Sequence, residues 1–130
     1  MPELNELFQT GDFKNEKHVP VIDVEGGPEK DKPIKIAVSV GKEVPHPNKT
    51  EHHIRWISLY FLEEGEKFPY EIGTMYFSAH GASAKGPDTS GVYTSSDALF
   101  NFKTEKPGTL FASSYCNIHG LWENSEKINF

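Results

Sequence analysis

The chain is poor in cysteine, in cations and in long apolar runs, and each shortage removes a class of function. One cysteine, Cys116, among 130 residues leaves no internal disulfide, which excludes a secreted, disulfide-built scaffold. No stretch approaches the roughly 18 apolar residues of a spanning helix. The start, M-P-E-L-N-E-L-F-Q, is acidic where a signal peptide has a basic beginning and an apolar run. A cytoplasmic chain without a membrane partner is expected. Lys and Arg number 13 against 19 Asp and Glu, for a net charge of −6, which argues against nucleic acid and anionic membranes as partners. Helical periodicity is nearly missing too. Only Leu4, Leu7 and Phe8 share a helical face, predicting a short N-terminal helical turn that Gly11 and Asp12 end.

What remains is a strand pattern in a chain long enough to bury one core, so a single domain over 1–130 is expected. In K-P-I-K-I-A-V-S-V, Ile34, Ile36, Val38 and Val40 alternate on one face, as in a half-buried strand. Residues 54–62, I-R-W-I-S-L-Y-F-L, are apolar on both parities toward their end and predict a central strand. Further strands are expected over 70–79, 98–103 and 109–115, with a last, polar edge strand over 122–130. Glu63–Glu66 reads as a turn, and Gly81–Gly91 as a long loop to which no role is assigned. Short strands punctuated by turns indicate an all-β sandwich or barrel.

The six histidines are the compositional oddity. Four of them sit in turn-like sequence at strand edges: His18 in E-K-H-V-P, His46 in P-H-P, His52 in T-E-H-H-I and His119 in C-N-I-H-G. Pro45 and Pro47 stiffen the backbone about His46, which lowers the ordering entropy lost on binding an ion. Cys116 and His119, at C-x-x-H spacing, can offer one ion a thiolate and an imidazole. Structural zinc is tetrahedral, with four ligands, usually two or more of them cysteine. One sulfur and up to four nitrogens suit a larger coordination number, pointing to iron with a face open to substrate. A thiolate with imidazoles also suits copper, and Y-C-x-x-H with His46 upstream is reminiscent of blue-copper electron carriers. Those add a weak axial Met downstream; here the methionines are Met1 and Met75, and none follows His119. A blue-copper-like electron-transfer protein is therefore the second reading, and an interaction module with a structural metal the third.

His52 and His53 point to opposite faces if the strand begins near residue 52, so one of them alone can reach the ion. Parity does not choose between them. His53 and His80 read as ordinary structural or surface residues, and Trp56 and Trp122 as covers over the core or the site.

Taken together and in order, E-K-H-V-P, P-H-P-N-K-T-E-H-H-I-R-W-I and Y-C-N-I-H-G-L-W resemble the superoxide reductases of the one-iron, neelaredoxin type, over essentially the whole chain. The resemblance implies an immunoglobulin-like β-sandwich and a mononuclear non-haem iron, cycling between Fe2+ and Fe3+, that reduces superoxide to hydrogen peroxide. Carried over by motif, His18, His46, His52 and His119 are the equatorial ligands and Cys116 the axial one. Glu16 matches the carboxylate that takes the sixth position in the ferric state, and Lys17 the cation beside the open site. Two-iron relatives carry a further N-terminal domain with four cysteines; this chain shows none, so one iron is implied. The resemblance also implies rubredoxin as electron donor and a homotetramer.

Overall fold

The computed structural model describes all of residues 1–130. Helix α1 (Leu4–Leu7) is followed by seven strands: β1 (Val21–Glu25), β2 (Ile34–Ser39), β3 (Ile54–Glu63), β4 (Tyr70–Tyr76), β5 (Asp97–Phe102), β6 (Gly108–Cys116) and β7 (Gly120–Ile128). They form two antiparallel sheets, β1-β2-β5 and β4-β3-β6-β7. This is the order of an immunoglobulin-like sandwich, with strands A-B-E facing C′-C-F-G.

Alternation sets the core. Ile34, Ile36 and Val38 of β2 are buried, and they meet Ile57, Leu59 and Phe61 of β3 and Leu110 and Ala112 of β6 in one cluster. Strand β3 lies between β4 and β6, the central place its two-sided apolar composition predicts. Two expectations change. Strand β4 stops at Tyr76 rather than 79; just beyond it Phe77 is buried and donates its N–H to the Arg55 carbonyl at 2.8 Å. Strand β1 goes unread in the sequence. Its five residues bury neighbours of opposite parity, Val21 and Ile22, so V-I-D-V-E shows no alternation.

The topology brings four loops to one end. In register, Val21 pairs Ser39, Ser39 pairs Asp97, Trp56 pairs Tyr76, and Ile54 pairs Cys116. The segment before β1, the β2–β3 loop, the β4–β5 loop and the β6–β7 hairpin therefore share that end. Every histidine of the chain lies on one of these segments.

Candidate metal centre

Strand β6 delivers the cysteine. Cys116 is its last residue, fully buried, and pairs Gly120 across a three-residue hairpin loop. Gly120 has φ +80°, the left-handed residue that closes such loops. The tight turn folds the His119 N–H back to donate to Cys116 Sγ at 3.4 Å. A register shift in β3 between Ile54 and Trp56 faces this same point, as bulges beside functional sites commonly do.

The imidazoles arrive from the other loops. Successive ring centroids are 4.8 Å apart for His18–His46, 4.7 Å for His46–His52, 5.0 Å for His52–His119 and 4.6 Å for His119–His18. The His18–His52 diagonal is longer, at 6.3 Å. Four rings thus make a closed circuit. Their inward atoms are Nε2 of His18 and His52, each near His119 Nδ1 at 3.1 and 3.2 Å, and Nε2 of His46. Cys116 Sγ lies 3.6 Å from His46 Nε2 and 3.7 Å from His119 Nδ1. His18, His52, Cys116 and His119 place their ligand atoms within 4.8 Å of one another.

These atoms fit a metal by the chemistry of their lone pairs. The Nδ1–H of His18 donates to Glu16 Oε1 at 2.7 Å, and that of His46 donates to the Pro47 carbonyl at 2.7 Å. Neither oxygen can donate back, so each of those rings turns a bare Nε2 lone pair inward. One ring hydrogen on His119 or His52 cannot serve all the acceptors around it. Nitrogens at about 2.1 Å from a common ion sit about 3.0 Å apart at right angles, close to the spacings found. Anchoring the outer nitrogen to a carboxylate or carbonyl also fixes ring orientation.

The electrostatics favour the neutral form of the His18, His46 and His52 rings. Burial pushes the pKa of His46 down to about 4, against the hydrogen bond to Pro47 and with help from His18, His52 and Lys17. Burial likewise lowers His18, opposed by Glu16, and it lowers His52 with His119, His18 and Lys17 adding to the effect. Burial raises Glu16, but its hydrogen bonds from His18 outweigh that and hold the carboxyl below its ordinary value. The Lys17 ammonium is felt by three of the four rings, which places positive charge beside the circuit.

The structure brings His18, His46, His52, His119 and Cys116 together. Glu16 meets them through the His18 ring. Strand β3 begins at Ile54, not at 52, yet the two neighbours still diverge: His52 enters the circuit and His53 turns away. Trp122 covers the site, stacked on His18 at 4.9 Å and donating from Nε1 to the His119 carbonyl at 3.3 Å. Trp56 does not. It stacks on Tyr115 on the outer sheet face. His80 is buried rather than on the surface, because its ring stacks on His53 at 3.6 Å.

Two supports had no sequence signal. Asn117, between the cysteine and the histidine, accepts from His53 N–H at 2.8 Å and donates to the Glu51 carbonyl at 2.9 Å, tying the two ligand loops together. Gln9 donates to the His119 carbonyl at 3.1 Å. Gly41, with φ +87°, is forced by the loop that carries His46: a Cβ there would lie 2.8 Å from the backbone nitrogen of His46. Gly41→Ala is expected to cost about 1–3 kcal/mol, read as a lower melting temperature together with weaker metal retention.

Residues 10–125 match the family described as Desulfoferrodoxin. The chain belongs to the desulfoferrodoxin family. Among its desulfoferrodoxin relatives, a superoxide reductase of Pyrococcus furiosus is 58% identical over 96% of this chain and 98% of its own. A neelaredoxin of Megalodesulfovibrio gigas is 53% identical over 95% of each chain. The solved structure of the superoxide reductase (neelaredoxin) of Archaeoglobus fulgidus in the reduced form superposes with a TM-score of 0.87, at 59% identity over 95% of this chain and 99% of that one.

Proposed function

We propose that this desulfoferrodoxin-family chain is a superoxide reductase, an oxidoreductase that reduces superoxide to hydrogen peroxide at one mononuclear non-haem iron. His18, His46, His52, His119 and Cys116 would hold the iron. The observation that carries this reading is the closed circuit of four imidazoles over one fully buried sulfur. Closed tetrahedral zinc uses four ligands; five donors with the sulfur on one side leave the opposite side for substrate. His119 is exposed and His52 half-buried, so that side meets solvent. Blue copper uses two histidines, one cysteine and a weak axial ligand, often Met. Two further imidazoles here and the exposure of both methionines leave copper without support.

Held by these five residues, an iron ion would supply the one-electron redox chemistry by which superoxide, taking up two protons, becomes hydrogen peroxide with no oxygen released. The residues do the rest. Neutral imidazoles and the thiolate together offer one negative charge, favouring the more oxidised ion. Hydrogen bonds to Glu16 and Pro47 lock the His18 and His46 rings. Trp122 screens the His18 face from water. Lys17 draws the anion toward the site of a chain whose net charge of −6 repels it. Glu16 is the carboxylate that the family resemblance offers as a further ligand, and it would have to leave the His18 ring to serve as one.

Residues 1–130 serve as one iron-binding domain. The remaining assignments, a cytoplasmic setting, rubredoxin as electron donor and a homotetramer, rest on the family resemblance. The outer face of the four-stranded sheet gives the tetramer material, since Tyr76 and Phe111 are 68% and 39% exposed there. No helix is long and apolar enough to cross a membrane.

Iron-loaded protein is expected to consume superoxide with peroxide as product; evolution of oxygen in step with superoxide loss, as in dismutation, sinks the assignment. In pulse radiolysis, Lys17→Ala is expected to lower the second-order rate by about 10-fold and to flatten its ionic-strength dependence, within the range focused charge supplies. An unchanged rate with unchanged salt dependence removes Lys17 from the mechanism.

A further inference from the structure

The β4–β5 loop spans residues 77–96 and carries none of the five metal donors, yet it is bonded at several points to the loop that bears His46 and His52. His80, at its start, stacks on His53 with centroids 3.6 Å apart and planes 7° from parallel. The His80 ring nitrogens face Asn48 Oδ1 at 2.8 Å and the Phe77 carbonyl at 2.7 Å. Asn48 is held from its other end, donating from Nδ2 to the Thr94 carbonyl at 2.7 Å. Two residues on, Thr50 donates both its N–H and its hydroxyl to Asp88 Oδ1 at 3.0 Å, and its hydroxyl accepts from the Asp88 N–H at 3.1 Å. Thr50 Oγ1 also reaches the His80 carbonyl at 3.3 Å. Asp88 does this from φ +57°, a left-handed conformation uncommon outside glycine. Strain of that kind persists where surrounding contacts impose it, and it concentrates at functional sites.

The grip is two-sided. His53, next to the donor His52, has its ring on His80, while its backbone N–H goes to Asn117 between Cys116 and His119. Asn48, Thr50 and His53 are therefore all held by the β4–β5 loop; Asn48 and Thr50 lie between His46 and His52, and His53 directly follows His52. The stretch between and beside those two donors is thus held by a segment that carries no donor of its own.

We propose that His80 and Asp88 are positioning residues of the metal centre, and that the β4–β5 loop is a brace that sets the separation of His46 and His52. The brace rests on the iron-site reading above, so its test has an arm that needs no metal. In iron-free protein, Asp88→Ala is expected to speed amide hydrogen exchange at residues 48–53. In iron-loaded protein, it is expected to speed iron loss to excess chelator by about 10-fold, the lower end of what an outer-shell partner contributes to metal affinity. Asp88→Asn keeps the accepting oxygen and tolerates the left-handed backbone, so it is expected to restore both rates. His80→Gln, which keeps one donor but loses the stack, should fall between them. Faster exchange with wild-type iron loss overturns the brace and leaves a merely structural loop. So does a global melting temperature that falls in step with iron retention. Wild-type protein that takes up no iron overturns the iron reading instead, and the proposal with it.

Discussion

Cys116→Ser is expected to lower superoxide reduction by more than ~100-fold, beyond the 10–100-fold that an outer-shell partner alone is worth. Three features of the site make this the most damaging conservative change. The sulfur is fully buried, and it lies 3.6 and 3.7 Å from two of the converging nitrogens. It is also the one anionic donor in the circuit. A serine hydroxyl is harder and shorter, and it stays protonated where a thiol gives up its proton to a metal. The variant therefore loses both the charge and the soft donation that favour the oxidised ion. It should still fold, because the His119 N–H that donates to Sγ can donate to Oγ, which offsets much of the roughly 1–3 kcal/mol cost of burying a hydroxyl. The check has two parts: the thiolate-to-metal band in the visible spectrum disappears, and peroxide formation collapses. Retention of both would rule out the thiolate as a ligand.

The legibility of this chain divides along physical lines. Ile34, Ile36, Val38 and Val40 are readable because a strand with one buried face must alternate. Ile54–Leu62 is readable because a central strand must be apolar on both faces. Strand β1 is not, since five residues at a sheet edge can bury Val21 and Ile22 together and leave no period to detect. The donor residues stand out because thiolate and imidazole are rare chemistry for a surface loop, and proline marks the loop about His46. Their supports do not stand out. Gln9, Asn48, Asn117 and His80 are ordinary polar residues, each of which reaches a partner between 32 and 110 positions away. Only the sandwich topology, which carries four segments to one end, makes neighbours of them. The misreading of His80 has the same origin: a Gly- and Ser-rich stretch looks solvated until the ring it stacks on is known.

That inward-facing arrangement of lone pairs also predicts how the metal-free protein answers acid. His46 has an ordinary pKa of 6.5 when unfolded and about 4 in the fold, and His18 and His52 move in the same direction. Between those limits the unfolded chain binds more protons than the folded one, so stability rises with pH and is lost as pH falls. The window opens near pH 6.5 and is fully crossed only below about pH 4. The drop at His46 corresponds to about 3 kcal/mol if fully realised, and solvent screening of a half-buried ring reduces it to about 1–2 kcal/mol. Urea unfolding of iron-free protein at pH 7 and at pH 4.5 is expected to show this loss, and His46→Gln is expected to remove most of its own share. Iron-loaded protein should resist longer, since its lone pairs are occupied and each proton must displace a ligand. Metal release and destabilisation then arrive together at the acid end. A metal-free protein equally stable at both pH values would show that the rings are not held neutral by the fold, and the preorganised circuit would lose its physical basis.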